Sequence, residues 1–231
     1  MKRLFSYFTK TEWLLWSFST ATVLLSFLIF DRESYLSLAA SLMGVNALVF
    51  CAKGNPLGQV FGIVFGLLYA VLSYGMAYYG EMIIYLGMSV PMAVIILIAW
   101  LRNPYKGNRA EVRIAHLAPR EFLFLALLTL IVTVMFYFIL RFFHTANLIP
   151  STVSIATSFA ALYLSFRRSE LFTLVYVAND LVLLVLWVLA SFTDSGYISV
   201  VTCFLAFLVN DIYGYVNWSR MKKRQSRGNG A

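Results

Sequence analysis

Hydrophobic positions in this chain gather into eight runs, each of about 20 residues, the length that carries a helix across a bilayer. The pattern predicts transmembrane helices over 13–30, 34–52, 57–79, 81–101, 121–143, 149–166, 171–192 and 196–219. The short alternating strands of an outer-membrane barrel do not fit runs this long. Helix-start residues stand before several runs: Asn55-Pro56, Pro119 ahead of Glu121, Pro150-Ser151, Ser169-Glu170 and Asp194-Ser195. Gly80-Glu81 marks the turn into the fourth run. Two polar pairs interrupt the last two runs, Asn179-Asp180 and Asn210-Asp211. A carboxylate at that depth costs several kcal/mol unless it meets a partner or water.

Composition supports this reading. The chain is 61% hydrophobic and 12% charged, against about 25% charged in a soluble domain. Charge also orients the spans. With the N-terminus in the cytoplasm, only Arg32 and Arg141 of the 18 Lys and Arg residues face outward. The net charge of +8 is therefore a topology signal and implies no nucleic acid. Both termini are expected in the cytoplasm of a multi-pass protein. Lys2, Arg3 and Lys10 suit a signal peptide, but no small-x-small site follows Phe30, so the first run is expected to be retained. The terminal MKKRQSR is read as a topology signal before a lipid-head contact.

A weak internal repeat is present. KGNPLGQVFGIVFG aligns with RRSELFTLVYVAND, and YGEMIIYLGMSVPMAVIILIAWLRN aligns with YISVVTCFLAFLVNDIYGYVNWSRM. Lys53 meets Arg167, Tyr79 meets Tyr197, Trp100 meets Trp218, and Arg102 meets Arg220. The expected fold is all-α and integral to the membrane. It has one extra N-terminal helix (1–33) and two parallel triple-helix repeats (34–101 and 149–219). A cytoplasmic basic loop and linker helix (102–148) joins the repeats, and a basic tail (220–231) follows them. Parallel repeats of this kind are a transporter architecture with the substrate near the midplane. Gly58, Gly62 and Gly66 form a small-residue stripe for close helix packing.

Helical rise puts Asn179 and Asn210 at one level, each about 12 Å from the same membrane face. Tyr176, Asn179, Asp180 and Trp187 share a stripe of one helix; Asn210 and Tyr213 share one on the next. Amides and aromatic faces together can hold a flat polar molecule. Buried Asn and Asp serve equally as helix-helix ties. Gln59 and Tyr69 complete the cavity or pack against it. The rivals are poorer. An aspartyl protease dyad lacks a Gly-x-Gly-Asp loop, and a retinal Schiff base lacks its lysine in the last two helices. Cys51 and Cys203 have no CxxC spacing, and His116 and His144 are isolated. No phosphate loop occurs either, so neither enzyme, metal nor cofactor is expected.

YVANDLVLLVLW and FLVNDIYGYVNWSRM, with YGEMI before the fourth span, resemble the PnuC family of nicotinamide riboside transporters. The likeness covers about residues 35 to 220. It implies a SWEET-like three-plus-one-plus-three bundle in the bacterial cytoplasmic membrane. It also implies facilitated uptake of an unphosphorylated vitamin, trapping by a cytoplasmic kinase, and a homotrimer. Asn179 and Asn210 match the family's ligand-contacting asparagines. Phe172 and Val175 stand where better-known members have tryptophans, so thiamine, riboflavin and deoxynucleosides stay open as cargo. A substrate-binding subunit of an ATP-driven importer is the other alternative. For nicotinamide riboside, the amides of Asn179 and Asn210 are expected on the carboxamide and ribose. Trp187 or Tyr213 would stack, and Asp180 or Asp211 would offset the cationic ring. Proton coupling is left open by the same aspartates.

Overall fold

The structure is a computed structural model that describes residues 7–30, 32–75, 79–145, 147–192 and 197–227. Eight membrane-length helices run through them: α1 (Lys10–Phe30), α2 (Tyr35–Ala52), α3 (Leu57–Gly75), α4 (Tyr79–Leu101), α5 (Pro119–Phe142), α6 (Leu148–Phe166), α7 (Leu171–Ser191) and α8 (Ile198–Arg227). Every predicted span is a helix. The Asp194-Ser195 start signal, Lys2, Arg3 and residues 76–78 of the 57–79 span lie outside the described residues, and Tyr79 belongs to α4.

Two boundaries move for local reasons. α1 starts at Lys10 because Thr9 and Glu12 form a capping box. The Thr9 amide donates to Glu12 Oε2 (2.7 Å), and the Glu12 amide donates to Thr9 Oγ1 (3.3 Å). α8 extends to Arg227, so most of the supposed tail is helix. No Gly or Pro stands between Trp218 and Arg227. The Lys, Arg and Gln residues there are good helix formers, and cations suit a helix C-terminus.

α4 is not uniform. Tyr85–Ser89 forms a π turn, and Pro91 follows it. Proline brings no N–H and crowds the carbonyl four residues back; widening the preceding turn relieves both. The stretch read as a plain linker contains a hairpin, β1 (Pro104–Tyr105) with β2 (Asn108–Val112). Lys106 and Gly107 both have positive φ, as a type I′ turn needs. The fold is therefore helical with one small β element.

In the bundle, α3 packs between α2 and α4, and α7 packs between α6 and α8. α4 meets α6, and α8 meets α2, which closes a six-helix ring. α5 lies outside against α6, and α1 lies outside against α8 and α2. The outer helices turn large apolar side chains outward, among them Leu25 and Ile29 on α1 and Leu123, Ile131 and Phe138 on α5. That apolar belt suits lipid. Lipid gives apolar contact no advantage between helices, so polar ties and close packing hold the ring.

The basic end of the ring, where α2 ends and α3 begins, carries the strongest ties. Trp218 Nε1 donates to the Cys51 carbonyl (2.8 Å), and Trp100 Nε1 donates to the Ser165 carbonyl (2.9 Å). The first bond joins α8 to α2, and the second joins α4 to α6. The rings also meet one another at 5.5 Å, with Phe172 packed on both. Asn217 Nδ2 adds a bond to the Ala52 carbonyl (2.8 Å). Next to them, Gly54 and Arg168 occupy matching turns with positive φ. The hairpin segment straps both turns. Val112 N donates to Gly54 O (2.9 Å), and Ala115 N donates to Arg168 O (3.1 Å). Gln225 on α8 anchors the strap, accepting from Ile114 N and donating to Val112 O.

Candidate functional site

The six-helix ring surrounds a cavity of about 200 Å³, room for roughly seven waters at about 30 Å³ each. α7 supplies Phe172, Tyr176, Asn179 and Asp180 to its wall, and α8 supplies Phe204, Phe207 and Asp211. α3 supplies Gln59, Gly62 and Phe65, and the π turn of α4 adds Tyr85 and Ser89. Of the glycine stripe, only two members pack. A Cβ on Gly58 would lie 2.5 Å from Cys51 Sγ, and one on Gly66 would lie 2.7 Å from Val90. A Cβ on Gly62 would meet nothing within 4 Å, because Gly62 opens onto the cavity.

Asn179 is buried, and its Oδ1 accepts from Thr157 Oγ1 (2.8 Å) and Ser158 Oγ (2.9 Å) of α6. These bonds orient the amide, and its Nδ2 has no acceptor among the described residues. Asp180 is 3% exposed, and its Oδ2 has no donor from another residue. Asp211, 6% exposed, lines the same cavity. Glu81 adds a third carboxyl to the wall, and no Lys, Arg or His lines it among the described residues. Gln59 lines the cavity with its Nε2 3.3 Å from Cys51 Sγ.

The structure thus gathers Asn179, Asp180, Asp211, Tyr176 and Gln59 around one space. The other four expected site residues lie elsewhere. Asn210 Nδ2 donates to Ser19 Oγ of α1 (2.7 Å) and to Ala206 O (2.8 Å). The Tyr213 hydroxyl donates to Glu12 Oε1 (3.1 Å). Trp187 packs on Tyr197 at 5.4 Å, in a separate apolar cluster. Tyr69 lies on Tyr85 at 4.6 Å and lines a second, smaller cavity of about 40 Å³ toward the opposite end of the ring. Phe65, Phe204 and Phe207 line both cavities and stand between them. In the sequence Glu81 stands out only as a turn marker, and Ser154 and Ser158, which also line the cavity, belong to no motif. Their four-residue spacing on an apolar helix was the available signal.

Comparison with known proteins accords with this geometry. A sequence model of the family described as nicotinamide mononucleotide transporter matches residues 34–220. The chain is 27% identical to the nicotinamide riboside transporter PnuC of Neisseria mucosa, over 91% of this chain and 84% of that protein. It is 24% identical to the protein of the same name from Haemophilus influenzae, over 83% and 82%. A crystal structure of the vitamin B3 transporter PnuC superposes with a TM-score of 0.79 at 25% identity, covering 94% of each chain. A multi-pass helical bundle with a central cavity, matched by the family model over most of its length, the chain belongs to the PnuC family of membrane transporters.

Proposed function

We propose that the protein carries nicotinamide riboside across the bacterial cytoplasmic membrane by alternating access. The carrying observation is the charge of the cavity: Glu81, Asp180 and Asp211 line it with no basic residue among the described ones. Such a wall favours a cation and disfavours a phosphate, which is usually held by Arg or Lys. The family description names the mononucleotide and the curated relatives name the riboside; the wall favours the riboside. Its cationic ring lies between aromatic faces, with Tyr176, Phe207 and Tyr85 available. The free amide of Asn179 and that of Gln59 hydrogen-bond its polar edge, and Asp180 with Asp211 offsets its charge. Asn210 and Tyr213 support the site by holding α1, while Trp187 and Tyr69 shape the far half of the path.

Two cavities with a partition between them support alternating access. The Phe65–Phe204–Phe207 partition separates the two cavities, and the Trp100–Trp218 pair, packed on the cavity residue Phe172, serves in this reading as the closure of the basic end. The basic end is cytoplasmic by the positive-inside rule, with both termini there. A homotrimer and a cytoplasmic kinase that traps the riboside complete the reading. Thiamine is the second reading on the same observation, because it too is a flat cation. Calorimetric titration of the purified protein with nicotinamide riboside, its mononucleotide, thiamine, riboflavin and deoxynucleosides tests this. The riboside is expected to bind tightest and the mononucleotide at least about a hundredfold more weakly, near 2.7 kcal/mol. Tighter binding of the mononucleotide overturns the choice.

A further inference from the structure

We propose that Glu81 and Tyr85 form an outer capture subsite, which holds the cationic ring of the cargo on its way between the outer face and Asn179. The inference rests on the cationic substrate proposed above and deepens it. Glu81 lies in the first turn of α4, at the end of the ring opposite the indoles. By helical rise it stands roughly 15 Å farther from the basic end than Asn179. Glu81 lines the main cavity, and its carboxyl has no hydrogen bond or ion pair among the described residues. Tyr85 follows one turn below on the same face and lines the same cavity. Its ring begins an aromatic ladder. Ring centroids of Tyr69 and Phe65 lie 4.6 and 6.0 Å from it, and that of Phe207 lies 6.2 Å from Phe65. Phe207 lines the cavity with Asn179. A carboxylate therefore heads a run of aromatic faces that leads to the deeper site. A flat cation fits both parts, since the charge attracts it over distance and the ring faces hold it at contact.

An acidic residue in a first turn also complements the helix dipole. The internal repeat shows that a helix start at this place does not need one. Tyr79 aligns with Tyr197, which sets Ser199 at the position of Glu81. Ser199 stands at the start of α8 and lines the second cavity with Ser26, Ser37 and Ser41. No charged residue lines that cavity among the described ones. The outward half of the ring thus carries a carboxylate on one side and hydroxyls on the other. A helix start alone accounts for neither this asymmetry nor the ladder beneath Glu81. Because the subsite lies outward of Asn179, it governs the rate of capture more than the depth of binding, as charges at the rim of a site do. In a carrier that only equilibrates its cargo, uptake and release are eased by the same factor.

Uptake by the full-length protein in liposomes tests the subsite. The labelled probes are nicotinamide riboside, a cation, and its neutral dihydro form of nearly the same shape. Glu81→Gln should lower kcat/KM for the riboside about tenfold, and clearly more than for the dihydro form. Calorimetric affinity for the riboside should fall by less than uptake does. Glu81→Asp, which keeps the charge, should recover much of the loss. Tyr85→Leu should lower riboside uptake several-fold, and Tyr85→Phe should recover most of it. Equal losses for the cation and the neutral form overturn the subsite, as does parental riboside uptake by Glu81→Gln. Absence of riboside binding to the unaltered protein defeats the substrate reading, and the subsite with it. Should the parent not carry the dihydro form, the Asp and Gln variants decide, and equal riboside rates in the two overturn the subsite. Should Glu81→Gln not fold, Tyr85→Leu decides against Tyr85→Phe, and equal riboside rates overturn it again.

Discussion

The two asparagines that the sequence places at one depth do different work. Asn179 holds two α6 hydroxyls with its oxygen and offers its amide to the cavity. Asn210 spends its amide on Ser19 of α1. Asn179→Ala is expected to weaken riboside binding by about tenfold or more, the cost of one well-placed hydrogen bond near 1.4 kcal/mol. Asn210→Ala is expected to leave affinity within about threefold and lower stability by about 1 kcal/mol, the scale of an interhelical bond in lipid. Calorimetry and thermal denaturation in detergent separate the two. Gly62 gives a sharper residue-scale test. Gly62→Val should fill open cavity space, abolish riboside binding and leave the melting temperature nearly unchanged. Gly58→Ala should lower it, because its Cβ would lie 2.6 Å from the Cys51 amide nitrogen. Equal behaviour of the two variants would contradict the geometry. Spacing shows that three glycines share a stripe, yet it cannot show which of them faces a neighbour and which faces empty space.

At the element scale, the ends of the ring decide access. Trp100 and Trp218 are 1% and 0% exposed, each donating across the boundary between triplets. Trp218→Phe keeps the aromatic packing but removes the bond to Cys51 O. It is expected to loosen the basic end by about 1 kcal/mol. In a Cys203→Ser background, a water-soluble maleimide should then label Cys51 several-fold faster than in the parent. Trp100→Phe should act likewise, because the two indoles play matching parts; an unchanged labelling rate in both would remove the closure from this end. The helices themselves were legible, since run length and start signals need no neighbours. The alignment of Trp100 with Trp218 was legible too, though their crossed bonds were not, because they join triplets distant in sequence. The hairpin leaves little trace in the sequence because its strands are short and polar, although Lys106-Gly107 stands at its turn. The π turn depends on how α4 absorbs Pro91 inside the bundle, and run length carries no trace of it.

For the whole molecule, the decisive element is α1. It lies outside the stretch matched by the family model, yet its polar side chains reach into the ring. Ser19 takes the amide of Asn210, and Glu12 takes both Lys53 and the Tyr213 hydroxyl. Lys53 Nζ lies 2.8 Å from Glu12 Oε2, with the two side chains 15% and 3% exposed. That is why Asn210 and Tyr213, sound candidates by spacing, are turned from the cavity: an additional helix occupies their polar groups. The pair ties α1 to the α2 end and α8 at once, at the end held by the indoles. Glu12→Gln leaves Lys53 a half-desolvated cation and should cost about 2–3 kcal/mol, near the lower range for a broken buried pair. Lys53→Met alone should cost a similar amount by stranding Glu12. The double variant should recover more than half of the summed loss, as coupled neighbours do. Additive losses in thermal denaturation would mean that Glu12 acts through Thr9 and Tyr213, and that the ion pair contributes little to seating α1.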